Sequence, residues 1–332
     1  MVSVTQRVRA VKQPRGGYIP PSSLETRFMG RPGQEPIDAS VENVHPSLVS
    51  LAVDYLTRVA LGRPATESFK IAVAGAGRLG EEYATYAQAL CDIVDGYVHR
   101  EMQLPDNESA RFLVIDEKDP RWYKNGGAFR VPDDEAIRAA IRLASFDVVM
   151  RAGKGAYSPH TNLDPDEATL RNIGRMLANA LRFAWEYGPV VVIDFTTLGG
   201  YSETVNAGDG DYVTVDTLWD MKVSTKPPTR ENTLQVLMYW LMARRSDWNW
   251  HPTWNWGHTT SEADWREAWD LDKYLKKHRT WPDDLHGPVP GHIGIFNPRL
   301  ETVYRLRVED IPEEVIDTVE REVLCYAADS SR

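Results

Sequence analysis

The chain has 332 residues, of which 42% are apolar and 26% charged, and its net charge is −10. This length allows one large domain or two ordinary ones, and no apolar run is long enough to span a bilayer, which argues against a membrane partner. The acidic balance argues against a protein that binds nucleic acid by bulk electrostatics, so any nucleic-acid-binding surface must be local.

The first half of the chain predicts an N-terminal arm followed by a mainly helical region. Residues 1–45 are rich in Pro, Gly and Ser and predict an extended arm, with several basic residues before position 18 but no apolar signal-peptide core. The helical region is predicted over 46–163. Its elements are a helix over 46–61, an alanine-rich stretch over 66–94, a short strand over 111–115 and a helix opened by the acids from Asp133.

The second half, residues 164–332, predicts an α/β domain with the element order α-β-β-β-α-β. The expected elements are a helix from Asp164 to Tyr187, a strand over 190–195, two strands joined by a tight turn at 215–216, a helix over 229–243, strands over 292–296 and 302–308, and a helix over 312–326. A tryptophan-rich insertion, residues 244–291, separates the second core helix from the next strand. Its aromatic and basic residues could stack nucleic-acid bases, or its tryptophans could form the core of a small lid.

Three charged residues of the predicted hairpin form a group that could carry out catalysis. Asp220 and Lys222 are two apart on one strand, so both side chains leave the same face. The tight turn places Tyr212 opposite Trp219 and therefore Asp211 close to Asp220. Two converging carboxylates would repel each other unless a hard divalent cation lies between them, and Lys222 could position a water or face a phosphate oxygen. This is the equipment for metal-assisted phosphodiester hydrolysis.

The motifs Gly208-x-x-Asp211, Asp220-x-Lys222 and Gln235-x-x-x-Tyr239 occur in this order on the predicted strands and helix. This pattern resembles the RecB-like branch of the PD-(D/E)XK nuclease superfamily, including its lambda-exonuclease-like members. The resemblance covers roughly residues 164–306. It implies a restriction-endonuclease-like αβββαβ core with a mixed central sheet, to which this chain would add the N-terminal helical extension and the insertion.

The resemblance also implies roles for individual residues. Asp211, Asp220 and the backbone carbonyl of Met221 would bind Mg²⁺ or Mn²⁺, and Lys222 would orient the attacking water or stabilise the transition state. Gln235 would help to hold the Asp220-x-Lys222 strand and the DNA end.

A further acidic ligand and the nucleic-acid contacts are also expected from the resemblance. The family usually adds a glutamate from the first core helix, for which we assign Glu186, with Glu82 and Glu203 as alternatives. Tyr239 would pack near the site or touch a phosphate. The residues expected to contact nucleic acid are Tyr239, Lys226, Arg230 and Arg244.

The predicted activity is hydrolysis of single- or double-stranded DNA, with exonuclease action in phage defence, mobile-element biology or repair as one context. The sequence leaves open whether cleavage is exo- or endonucleolytic, whether RNA is cut, and whether the chain forms a homo-oligomer or binds a protein partner. Two cysteines far apart in the sequence favour a reducing, cytoplasmic location.

Two alternatives remain open from the sequence. The first is a nucleic-acid- or protein-binding module that keeps the fold and has lost its activity. The second is an enzyme that binds a dinucleotide through Gly75-x-Gly77-x-x-Gly80, which follows an apolar run. Against this second alternative, the run is short and alanine-rich, and two glutamates follow the last glycine. The same small residues would instead suit a closely packed helix.

Overall fold

The structure is a computed structural model that describes residues 2–30, 33–96, 132–188, 190–197, 199–214, 216–246 and 289–326. The strand predicted over 111–115 and most of the tryptophan-rich insertion lie outside these ranges. The chain divides into two compact units: unit 1 contains Met1–Met29, Tyr187–Asn255 and Thr260–Arg332, and unit 2 contains Gly30–Glu186 and Trp256–Thr259. In the described ranges, every helix is too short or too polar to cross a membrane.

The described residues form both helices and a six-stranded mixed sheet, which confirms the expected mixed α/β class. The helices are α1 (Val4–Ala10), α2 (Pro46–Ala60), α3 (Ala65–Ser68), α4 (Lys70–Leu79), α5 (Glu81–Asp95), α6 (Asp134–Ala144), α7 (Asp147–Ala152), α8 (Glu167–Tyr187), α9 (Arg230–Arg245) and α10 (Glu313–Thr318). The strands are β1 (Glu25–Phe28), β2 (Val190–Thr196), β3 (Asp209–Thr214), β4 (Thr217–Met221), β5 (His292–Asn297) and β6 (Thr302–Arg307).

Unit 1 is built on one six-stranded mixed sheet with the order β1-β6-β5-β4-β3-β2. Strands β4 and β5 are parallel, and the other neighbouring pairs are antiparallel. The parallel pair requires a crossover connection, and α9 lies in that connection. Apolar residues of α9, such as Leu237, pack with Leu218 of β4 and Ile295 of β5 in the core.

The N-terminal residues are more ordered than the predicted extended arm. Ser3 and Gln6 form a reciprocal capping box that begins α1, and Val4 and Val8 are buried in the core cluster that contains α9. Residues 25–28 form the edge strand β1, which pairs with β6. We missed both elements because α1 has only seven residues, and because the partner of β1 lies far away in the sequence.

Unit 2 is helical in its described residues, as expected for the region before residue 164. The alanine-rich stretch forms α3, α4 and α5, and Gly75 lies in the middle of α4. A Cβ atom on Gly75 would lie 2.1 Å from the carbonyl oxygen of Phe146, so the small residue permits close helix packing. A dinucleotide-binding turn requires a strand before its glycines, and residues 70–79 are helical. The strand that this dinucleotide alternative requires before Gly75 is therefore not found there.

Two predicted helix boundaries differ from the structure. The helix predicted from Asp164 begins at Glu167, because the carboxylate of Asp166 accepts the N–H of Thr169 at 2.8 Å and so caps the helix two residues after the predicted cap, Asp164. The last predicted helix is α10 followed by a π-helical segment, Val319–Leu324, and Cys325 then ends it in a left-handed conformation with φ of 57°.

Candidate active site

The β3–β4 hairpin has the register that the sequence predicts. Tyr212 pairs with Trp219, and continuing this register by one residue places Asp211 opposite Asp220. The Oδ2 atom of Asp211 accepts a hydrogen bond from the backbone N–H of Met221 at 2.7 Å. The side chain of Asp211 therefore reaches across to β4, beside the strand position that carries Asp220.

Asp220 and Lys222 form an ion pair at the end of β4. The Nζ atom of Lys222 lies 2.9 Å from Oδ1 and 2.7 Å from Oδ2 of Asp220, so it contacts both carboxylate oxygens. Asp220 is only 2% exposed, and a buried carboxylate is costly unless a counter-charge accompanies it. The backbone N–H of Lys222 donates to the carbonyl of Phe296 on β5 at 2.9 Å, which fixes the lysine at the strand end.

Gln235 and Tyr239 lie on the face of α9 that approaches these carboxylates. The Nε2 atom of Gln235 is 3.4 Å from the Tyr239 hydroxyl. Burial, and then the negative charge of Asp220, raise the pKa of Tyr239 far above its ordinary value of 10; Asp211 adds to this effect, and the hydrogen bond from Gln235 opposes it. The Tyr239 hydroxyl is therefore protonated at neutral pH. Because Tyr239 is 4% exposed, its position fits packing beside the site better than contact with a phosphate.

Two further aspartates near the site were missing from the sequence prediction. Asp209 is two residues before Asp211 on β3, so its side chain leaves the same face, and its charge also acts on Tyr239. The alternation rule that we applied to Asp220 and Lys222 could have found it. On β2, the pairs on either side of Asp194 place it opposite Asp211, and Asp194 has φ of 56°. No local pattern announces that left-handed conformation in a strand.

The donor set at the hairpin suits a hard divalent cation. Asp211, Asp220 and the carbonyl of Met221 offer oxygen atoms only, and Mg²⁺ is commonly held by one or two carboxylates with the remaining positions left to water or phosphate. Among the residues that the structure describes, no group of three or more His, Cys, Asp or Glu side chains is arranged to hold a metal. The structure therefore brings together two carboxylates at the hairpin, those of Asp211 and Asp220.

The predicted acid from the first core helix stays a prediction. Glu186 ends the part of α8 that belongs to unit 2, and Glu82 lies in the first turn of α5 in the same unit. Glu203 belongs to unit 1, where it is exposed in the connection between β2 and β3.

The basic residues expected to contact nucleic acid fall into two places. Lys226 and Arg230 are exposed in the connection after β4 and in the first turn of α9. Arg244 lies 14 residues further along α9, which corresponds to about 21 Å of helix. Its guanidinium is paired with Glu320 at 2.8 Å. Lys226 and Arg230 could therefore share one surface, from which Arg244 is separated.

Comparisons of the chain with models of known protein families, with curated proteins and with solved structures gave no match.

Proposed function

We propose that this protein is a metal-dependent nuclease that hydrolyses DNA phosphodiester bonds, with a RecB-like PD-(D/E)XK core. The observation that carries the proposal is the hairpin register that sets Asp211 beside Asp220, with Lys222 paired to the buried carboxylate. The element order β2-β3-β4-α9-β5 and the mixed sheet also support it.

Asp211, Asp220 and the carbonyl of Met221 would hold Mg²⁺ or Mn²⁺. When bound, such an ion polarises a phosphoryl oxygen and makes a bound water more acidic. Lys222 carries a fixed positive charge at the strand end, where it can stabilise the negative charge that develops on a phosphate during hydrolysis. The N–H of Met221 holds the carboxylate of Asp211 in place. The protonated hydroxyl of Tyr239 adds a neutral donor beside the carboxylates.

A catalytically inactive nucleic-acid- or protein-binding module on the same fold is the second candidate. The observation that favours it is the missing third ligand group in the described part of the chain. A protein that binds metal but does not cleave DNA, or that does neither, would be this inactive module and not a nuclease.

The test is a cleavage assay on linear duplex, single-stranded and circular DNA with Mg²⁺, with Mn²⁺ and with EDTA. We expect metal-dependent cleavage by the wild type and its loss in Asp211→Asn, Asp220→Asn and Lys222→Gln. Asp310→Asn is the matched control, because Asp310 is an exposed carboxylate of the same unit. Cleavage of linear DNA alone would indicate an exonuclease, and cleavage of circles would indicate an endonuclease.

Two results would refute the nuclease proposal. One is metal-dependent cleavage that persists in all three site variants, since the hairpin would then not be the catalytic site. The other is a wild type that takes up Mn²⁺ in a calorimetric titration and cuts none of the substrates, which would support the inactive module.

A further inference from the structure

Residues 13–19 are fastened to the beginning of α9. The side-chain amide of Gln13 donates to the backbone carbonyl of Arg230 at 3.2 Å. The hydroxyl of Thr233 donates to the carbonyl of Ile19 at 2.6 Å, and both Gln13 and Ile19 are buried. These contacts order a segment that, from its composition, we predicted to be an extended arm.

A tight turn within this segment places Arg15 beside α9. The N–H of Gly17 donates to the carbonyl of Pro14 at 3.0 Å, and Gly16 and Gly17 have φ of 91° and 94°, which favour glycine. A Cβ atom on Gly17 would lie 2.7 Å from the Cβ of Arg230, so the turn contacts the helix directly. Arg15 lies at the exposed tip of this turn.

Lys12 and Arg15 flank Gln13, which contacts Arg230, and Lys226 precedes Arg230 by four residues in the chain. We define the N-terminal basic surface as Lys12, Arg15, Lys226 and Arg230, all of which are exposed. Within the part of the chain that the structure describes, Lys12, Arg15 and Lys226 make no ion pair. Arg230 pairs with Glu231 at 3.0 Å, but both side chains are nearly half exposed, so this pair is weak.

Val4, which precedes residues 13–19 in the chain, borders the candidate active site. The N–H of Val4 donates to the carbonyl of Ala207 at 3.0 Å. A Cβ atom on Gly208 would lie 2.7 Å from Cγ2 of Val4 and 3.3 Å from Cε1 of Tyr239. At the other end, Lys226 follows Lys222 by four residues in the connection to α9. The N-terminal residues from Val4 to Ile19 therefore extend from the neighbourhood of the carboxylates to the beginning of α9.

We infer that the N-terminal basic surface binds the phosphate backbone of a nucleic acid and guides it toward the carboxylates; this inference rests on the proposed nuclease function. Exposed, flexible cations suit phosphates and bind them without sequence preference. A lipid surface fits less well, because Val4 and Val8 of α1 are buried against the core and leave no apolar face to insert.

The test is binding of fluorescein-labelled single-stranded and duplex DNA in EDTA, measured by anisotropy over a range of salt concentrations. Lys12→Gln/Arg15→Gln is compared with the wild type and with Arg171→Gln/Arg307→Gln, which removes the same charge from two exposed arginines elsewhere. Each phosphate contact contributes about 0.7–0.9 to the slope of log K against log salt concentration. We expect the slope to fall by about 1.4–1.8 and the affinity at low salt to drop about tenfold in the first variant only.

Equal slopes in the wild type and Lys12→Gln/Arg15→Gln would overturn the inference, as would an equal loss in the control variant. Stronger binding to phosphatidylserine vesicles than to DNA would also overturn it, in favour of a membrane surface. EDTA prevents cleavage, so the result is independent of nuclease activity. If the expected loss of binding occurs and the wild type with Mn²⁺ cuts no DNA, the surface stands and the nuclease proposal fails; if cleavage occurs and binding is unchanged, the reverse holds.

Discussion

Replacing Asp220 and replacing Lys222 should cost different amounts of folding free energy, although each substitution removes the same ion pair. Asp220 is 2% exposed, whereas the side chain of Lys222 keeps 29% of its exposure. Lys222→Met leaves a buried carboxylate without its counter-charge. Asp220→Asn leaves an ammonium group that can turn toward water along its flexible stem. We therefore expect the lysine substitution to be the more destabilising of the two.

The expected loss of folding free energy depends on how much of the ion pair is exposed to solvent. Removing one partner of a fully buried pair costs about 3–5 kcal/mol. Because the lysine end is partly exposed, we expect about 2–3 kcal/mol for Lys222→Met and about 1 kcal/mol for Asp220→Asn. The double variant should resemble Asp220→Asn, because no charge is then left unpaired. The double variant therefore costs less than the sum of the two single variants, by a coupling energy of about 2–3 kcal/mol.

The wild type, the two single variants and the double variant form a double-mutant cycle. Urea unfolding in metal-free buffer, followed by circular dichroism and tryptophan fluorescence, measures the stability of all four proteins. Arg307→Met is the control, because Arg307 pairs with Glu309 on the surface and both side chains are more than half exposed. Its cost should stay within about 0.5 kcal/mol. Equal costs for the two site variants, or a double variant that shows simple additivity, would refute the view that Lys222 stabilises the buried charge of Asp220.

Two further predictions concern the sheet and the C-terminal segment. Gly294→Ala should destabilise the protein by about 2–3 kcal/mol in urea, because the new Cβ would lie 2.2 Å from the buried ring of Trp219; an unchanged midpoint would contradict that packing. Burial alone would raise the pKa of Glu320, but hydrogen bonds and charge from Arg245 and Arg244 lower it below its ordinary value of 4.5. Because the pKa is lower in the folded state, the ionised Glu320 stabilises the folded protein above the unfolded-state pKa, and this stabilisation is lost as pH falls. The unfolding free energies of wild type and Glu320→Gln should therefore differ near neutral pH and converge in acid, and a difference that stays constant with pH would contradict this.

The hairpin was predictable from the sequence because its signals are local. Alternation puts Asp220 and Lys222 on one face, and a short turn fixes which residue lies opposite which, so the Tyr212–Trp219 pair and the position of Asp211 followed. The order of elements was readable for the same reason, since each helix or strand carries its own periodicity.

Other parts of the structure depend on contacts that no local pattern encodes. The strand β1 exists because β6 provides its partner, and Asp194 takes a left-handed backbone conformation within β2, which the alternation of residues along a strand does not indicate. Gly75-x-Gly77-x-x-Gly80 matched a phosphate-binding pattern, yet the packing of Gly75 against Phe146 in a helical unit accounts for the small residue. The composition of the N-terminal residues predicts an extended arm, whereas in the structure Gln13 and Ile19 are held by α9. No local pattern indicates these contacts, because α9 lies more than 200 residues later in the chain.

The position of β1 at the sheet edge has a consequence for biosynthesis. Glu25 pairs with Arg305, a separation of 280 residues, and all of unit 2 up to Glu186 is translated between them. The strand therefore leaves the ribosome long before its partner exists, and its four exposed residues must wait while the intervening helices are made. Pairing between strands so far apart in the sequence is slow and leaves an unpaired strand edge exposed in the meantime. Dependence on chaperones should therefore be greater for unit 1, which contains both strands, than for unit 2.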